Sequence, residues 1–311
     1  MKKTMRILSL FLVLTVFEGM AMGSGSSSSG SSDNVKPPSS VASGGTETES
    51  KPSNTADQAS TAQAVTIEEA VLLDQNDIKI AATGFDGNGS LGPSINLLIE
   101  NNGSKPVTVQ ARNASVNGYM TETMMSADVA GGKKANDSLT FMRSDLETAG
   151  ITVIADMEFS FHIFDSETWD TVLDSEPIKI NTSAAEGFTY TYDDSGNVVY
   201  DENGVQIVVK GLSESGSWLG PAVVVYIRNT SGRDFTVQAR DVSINGFMVE
   251  SVFSSDVVAG KHAIDTITFL SSDLENNGIE KIDSVELSFH VFDMTSFDTI
   301  VDTAPVTIDF S

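Results

Sequence analysis

Moving the chain along itself by 128 positions lays residues 91–183 over 219–311 without a gap, and roughly 45 % of the paired positions are identical. The matches come in blocks: Thr108-Val109-Gln110-Ala111-Arg112 returns as Thr236-Val237-Gln238-Ala239-Arg240, and Ser144-Asp145-Leu146-Glu147 as Ser272-Asp273-Leu274-Glu275. Ser160-Phe161-His162 returns as Ser288-Phe289-His290. Upstream the offset falls to 127, with Trp218 as the additional residue. A duplication of this kind restricts the folded part to two copies of one unit, 66–183 and 184–311, joined by a short connection at about 183–187, after which Tyr190 and Tyr192 open the first hairpin of the second copy.

Within a copy the apolar period is two. Phe159, Phe161 and Ile163 alternate with Ser160, His162 and Phe164, the pattern of a strand with one face in a core. Asn117-Gly118 and Asn245-Gly246 are hairpin signals, because a type I′ turn needs positive φ at both central residues. Val107, Val109 and Ala111 are out of phase with Ala114 and Val116, so an extra residue near Arg112-Asn113, and near Arg240-Asp241, predicts a β-bulge. Ser144 or Ser272 as N-cap and Gly150 or Gly278 as stop predict one short helical turn per copy. Frequent polar turns between short strands complete an all-β expectation: two tandem immunoglobulin-like antiparallel β-sandwiches, each with one short helical turn.

The N-terminal region reads as export and spacing. Lys2, Lys3 and Arg6 precede an apolar run from Ile7 to Phe17, too short to span a bilayer, and Ala21 and Gly23 suit a signal peptidase, which places a signal peptide at 1–23. Residues 24–65 are dominated by Ser, Gly, Thr and Ala with few large apolar side chains, the composition of a disordered spacer. The expected location is extracellular or at the cell surface. With no cysteine in the chain, no disulfide supports the sandwiches there and each relies on its hydrophobic core.

The formal net charge of -25 sits wholly on the repeats: 66–183 carries eighteen acids and seven bases, 184–311 twenty and six. Such a surface repels phosphate backbones and anionic lipid, which argues against nucleic acid and bare membrane as partners and favours cations or basic partners.

Gly92-Pro93, Ile99-Glu100-Asn101-Asn102, Val109-Gln110-Ala111-Arg112, Asn117-Gly118-Tyr119-Met120, Asp128 to Lys133 and Ser144-Asp145-Leu146-Glu147, with their second set between 220 and 275, resemble uncharacterised extracellular immunoglobulin-like modules of Gram-positive bacteria. The resemblance implies a secreted or surface β-sandwich without catalysis. Such modules often follow a lipid-anchored start, and the missing cysteine is a departure from that pattern.

Chemistry-bearing residues are few. His162 and His290 occupy equivalent strand positions, and Arg112 and Arg240 sit at the expected bulges, where pairing with carboxylates competes with a ligand role. Trp218 has no counterpart and is a candidate contact residue in a loop, whereas Trp169 aligns with Phe297 as a core position would. Met120, Met124 and Met125 crowd one hairpin, with core filling as the first expectation. His262 stands where the first copy has Lys134 and reads as a loop residue. Asp193, Asp194, Asp201 and Asn203 are oxygen ligands a calcium ion could use, but without EF-hand spacing they read first as turn residues. Neither a cofactor motif nor a Gly-x-Ser-x-Gly elbow is present. These features favour a non-catalytic pair of binding modules for a protein or glycan; the alternative is a secreted hydrolase acting on glycan or peptide.

Overall fold

The computed structural model describes residues 65–217 and 219–310. The expected signal peptide, the spacer up to residue 64, and Trp218 lie outside the described residues.

The alternating segments form strands throughout. The first repeat runs β1 (Ala70–Gln75), β2 (Ile78–Asp86), β3 (Ser94–Asn101), β4 (Val107–Val116), β5 (Tyr119–Met120), β6 (Thr123–Met124), β7 (Ser126–Val129), β8 (Lys133–Phe141), α1 (Arg143–Thr148), β9 (Asp156–Asp165), β10 (Thr171–Asp174) and β11 (Ile178–Asn181). The second runs β12 (Asn197–Glu202), β13 (Val205–Ser217), β14 (Gly220–Asn229), β15 (Phe235–Ile244), β16 (Phe247–Met248), β17 (Ser251–Val252), β18 (Ser254–Val257), β19 (His262–Phe269), α2 (Ser271–Asn276), β20 (Ser284–Asp293), β21 (Thr299–Asp302) and β22 (Val306–Asp309).

One sheet of the first repeat has the order β1-β2-β3-β8-β6; in the facing sheet β4 lies between β9, which carries β10 and β11, and the short strands β5 and β7. Apart from β1 and the extra short strands, this is the ABED-over-CFG pairing of an immunoglobulin-like sandwich. The second repeat repeats it with β12-β13-β14-β19-β17 in one sheet and β15, β16, β18, β20, β21 and β22 in the other. Each pair of sheets encloses its own apolar cluster. Ile80, Leu97, Ile99, Val109, Phe141, Phe159 and Phe161 lie at the centre of the first, and Ile207, Val225, Phe235, Val237, Phe269, Phe289 and Val291 at the centre of the second.

The local devices expected from the residues are in place. Arg112 faces Ser160 and Ser115 faces Glu158, so three steps along β4 match two along β9; Arg240 to Ser243 repeats the bulge against β20. Asn113 and Asp241 take the positive φ of 54° that the bulge requires. The hairpin tips have φ of 51° and 82° at Asn117 and Gly118, and 51° and 85° at Asn245 and Gly246. The Asn117 side chain does more than turn the chain: its Oδ1 accepts from the amides of Ala155 and Asp156 and its Nδ2 donates to the Val153 carbonyl, which fixes the loop entering β9. Asn245 does the same with Asp283, Ser284 and Lys281.

The helix caps differ from expectation. The N-caps are Met142 and Leu270, without a side-chain cap bond, and Ser144 and Ser272 lie inside the first turn. Asp145 and Asp273 instead turn away and accept the backbone amides of Glu122 and Glu250, tying each helix to the preceding hairpin. Gly150 and Gly278 do end the helices with φ of 67° and 64°.

The two repeats belong to one compact unit. The tip of the first repeat's hairpin runs onto the second repeat: Tyr119 of β5 is the parallel bridge partner of His262 on β19, and the His262 amide donates to the Gly118 carbonyl at 2.9 Å. Tyr119, only 5 % exposed, closes a third apolar cluster with Val208 and Tyr226, whose side chains point away from the second repeat's own core. Tyr190 and Tyr192 do not begin a hairpin. They precede β12 and cross the junction, Tyr190 donating its hydroxyl to Asp156 and Tyr192 stacking on His262. Lys261 and Glu158 close the junction with a 2.9 Å ion pair that is largely covered on both sides.

His262 is therefore no loop residue but the centre of the junction. Its ring lies among Tyr119, Tyr192 and Tyr226, and its Nδ1 is 2.6 Å from the Tyr226 hydroxyl. Burial, reinforced by the charge of Arg228, lowers its pKa to about 4, so at neutral pH the imidazole is uncharged and shares a neutral hydrogen bond with the Tyr226 hydroxyl.

Candidate binding faces

Side chains on one strand face share a parity, and on β9 Phe159, Phe161 and Ile163 take the core. That leaves Ser160, His162 and Phe164 on the outer face. Across the register Gln110 faces His162 and Arg112 faces Ser160, so the arginine and histidine singled out in the sequence share this face in the first repeat. Arg240 and His290 share it in the second, with Gln238 opposite His290 and Arg240 opposite Ser288.

Each histidine is held by the next strand. His162 Nδ1 and Asp174 Oδ1 are 2.5 Å apart, as are His290 Nδ1 and Asp302 Oδ1. Arg240 reaches the same Asp302 at 3.9 Å, whereas Arg112 is exposed without an ion pair among the described residues. These His-Asp pairs fix the orientation of an imidazole on the outer sheet surface of each repeat.

The residue that dominates this face was expected in the core. Trp169 is 74 % exposed and Phe297 72 %, and both have the positive φ (65° and 60°) that bulky side chains avoid. The cost of that conformation is on the order of 1–2 kcal/mol per residue. The connecting loop enforces it: Asp165 Oδ1 accepts the amides of Glu167 and Thr168, and the Trp169 amide donates to the Asp165 carbonyl. Asp293 makes the same bonds with Thr295, Ser296 and Phe297. Those amide donors keep both carboxyls below the usual carboxylate range, so each loop anchor stays ionised.

The exposed ring rests on a shelf. Trp169 stacks on Phe164 with centroids 5.4 Å apart and planes 16° apart, and Phe164 in turn lies beside His162. In the second repeat Phe297 covers Phe292, which lies beside His290. Each repeat thus presents a projecting aromatic ring at the end of a row that continues through a second phenylalanine, buried at Phe164 and half-buried at Phe292, and a carboxylate-held histidine. The sequence signal that could have found it is the spacing Phe-Asp-x-x-x-aromatic-Asp, at 164–170 and 292–298: the second aromatic falls in the loop, beyond the last strand position with a core parity.

Elsewhere the remaining candidates separate. Asp193 is engaged by Lys210 at 2.8 Å and by Ser195, which hold its carboxyl well below the ordinary range. Asp201 accepts from Gln206, and Asn203, with Gly204, takes positive φ in the turn between β12 and β13. Asp194 is exposed just before β12, at the opposite end of that strand from Asp201 and Asn203. Among the described residues no three His, Asp or Glu side chains converge on a metal position. Met120 packs against the second repeat's core, Met125 against the first's, and Met124 is exposed. No helix among the described residues is long and apolar enough to cross a membrane.

No family model matches the chain, and no curated protein matches it. Among solved structures it is similar to the YadV chaperone, at 13 % identity over 75 % of this chain and 99 % of that one, with a TM-score of 0.23. A Salmonella enterica SafA pilin–SafB chaperone complex matches at 10 % identity over 70 % and 88 %, with a TM-score of 0.19. A Porphyromonas gingivalis protein of unknown function matches at 10 % over 70 % and 90 %, also with 0.19. At these scores the likenesses carry no inference about partners or activity.

Proposed function

We propose that the chain is a secreted or cell-surface binding protein without catalytic activity, which engages a protein or glycan through the outer faces that end in Trp169 and Phe297. The observation that carries this reading is the duplicated exposed aromatic. A ring held in a disfavoured backbone region, in the same loop of both repeats, costs stability twice and contributes little to either core; such strain is retained where a surface has work to do. Two equivalent faces on one body also raise avidity for a repetitive ligand. The acidic surface favours neutral or basic ligands.

The test is capture of the purified chain on arrays of bacterial and host surface glycans and on surface-protein extracts. Trp169→Ala and Phe297→Ala are each expected to weaken retention, and the double substitution to remove it. Retention unchanged in the double variant would refute the assignment. Turnover of a glycan or peptide substrate that is lost in His162→Ala or His290→Ala would establish the hydrolase instead.

A further inference from the structure

The junction between the repeats uses one end of the first repeat and one side of the second, so its two halves are different surfaces. Because the repeats are copies, the second repeat carries the same end, and the first the same side, neither used among the described residues. We infer that these two surfaces meet between molecules, and that the chain associates with further copies of itself head to tail.

The used and unused ends can be compared atom by atom. At the used end Tyr119 is 5 % exposed and Met120 is packed against the neighbouring repeat; at the unused end their counterparts Phe247 and Met248 are 49 % and 66 % exposed. A Cβ on Gly118 would meet the Tyr192 hydroxyl at 2.7 Å, whereas a Cβ on Gly246 would meet nothing within 4 Å. The second repeat has thus kept an aromatic residue and a methionine on an identical Asn-Gly tip where nothing among the described residues covers them. A surface left to drift would favour polar side chains there, as the surrounding acidic surface does.

The charges match as well. Lys261 and Glu158 form the ion pair across the existing junction. Their counterparts, Lys133 and Glu286, are both exposed, on the unused side and the unused end respectively. Stacking a second chain in the observed arrangement brings Glu286 of one molecule to Lys133 of the next. The receiving side of the first repeat offers Leu98 and Ala81 where the second has Tyr226 and Val208, both partly exposed and on the outward parity of their strands. Lys134 replaces His262 and is already paired with Glu100, so the intermolecular contact lacks the histidine–tyrosine stack and is weaker than the internal one. Repeating a contact between unlike surfaces gives open rows of molecules rather than closed dimers, unless the rotation happens to close a ring.

The experiment is sedimentation of the full chain over a range of concentrations. The expected result is a weight-average mass that climbs reversibly past two chains without a plateau at the dimer. Phe247→Ser with Met248→Ser, at exposed positions outside either core, is expected to weaken association by about tenfold or more. Glu286→Lys and Lys133→Glu are each expected to weaken it likewise, and the two together in one chain to restore it. Because the chain has no cysteine, Glu286→Cys with Lys133→Cys gives a second readout, a ladder of oligomers with a short thiol cross-linker. A single-chain mass throughout the range, a plateau at two chains, or association indifferent to Phe247, Met248 and the charge exchange would each overturn the inference. So would occupation of the Phe247–Met248 tip by a protein of another kind in place of a second chain.

Discussion

The rings of Tyr192 and His262 lie 3.8 Å apart and 18° from parallel, so a residue from the connection and one from β19 share the plane on which the two repeats meet. Tyr119 meets both rings, and the Tyr226 hydroxyl holds the imidazole nitrogen.

His262 links the junction to pH. Its folded-state pKa of about 4 lies below its ordinary 6.5, so its contribution to stability is complete above pH 6.5 and is lost as pH falls towards 4. Glu122 and Asp265, raised chiefly by burial, work in the opposite direction, since their penalty is relieved on acidification. The contrast between the chain and His262→Gln isolates the histidine: melting temperatures from pH 7 to pH 4 should fall more steeply for the unaltered chain. Parallel curves would show that the imidazole does not titrate with the fold.

Asn117 and Asn245 should each cost more than a turn residue normally does. Alanine at either position removes three hydrogen bonds and leaves loop amides without acceptors, a loss of roughly 1–3 kcal/mol for the unsatisfied groups. Chemical denaturation should show the larger effect for Asn117, which is buried under the junction, while Asn245 is partly exposed. Losses within a few tenths of a kcal/mol would reduce both to ordinary turn residues.

The exposed ring offers a separation of stability from binding. Trp169→Gly relieves the positive φ, worth on the order of 1 kcal/mol, and gives up only a surface stack. The variant is expected to melt no lower than the parent while its ligand capture declines, the exchange anticipated where strain serves a surface function. A marked drop in melting temperature would return Trp169 to a structural role.

Residues 184–311 expressed alone should fold around their own cluster but expose Val208 and Tyr226. At about 1.5–3 kcal/mol for each large apolar side chain uncovered, that fragment should be less stable than the same repeat within the full chain. Tyr226→Ser should recover solubility in the fragment. A fragment without cooperative unfolding would mean that the repeats complete one another's cores.

Strand alternation, the Asn-Gly tips, the parity break at Arg112 and the glycine stops were legible because each is local: period, φ and a one-residue offset are written within a few neighbouring positions. The duplication made them legible twice, and with them the paired sandwiches. The exposure of Trp169 was not legible, because alignment with Phe297 reports that two positions are equivalent and says nothing of whether their environment is a core or a loop. His262 was misread for the same reason: its isolation in sequence hides three tyrosines that approach it from β5, the connection and β14. Identical tips became a covered Tyr119 and an open Phe247 only through the packing of one repeat on the other, since which face of a sandwich is buried depends on what lies across from it in space.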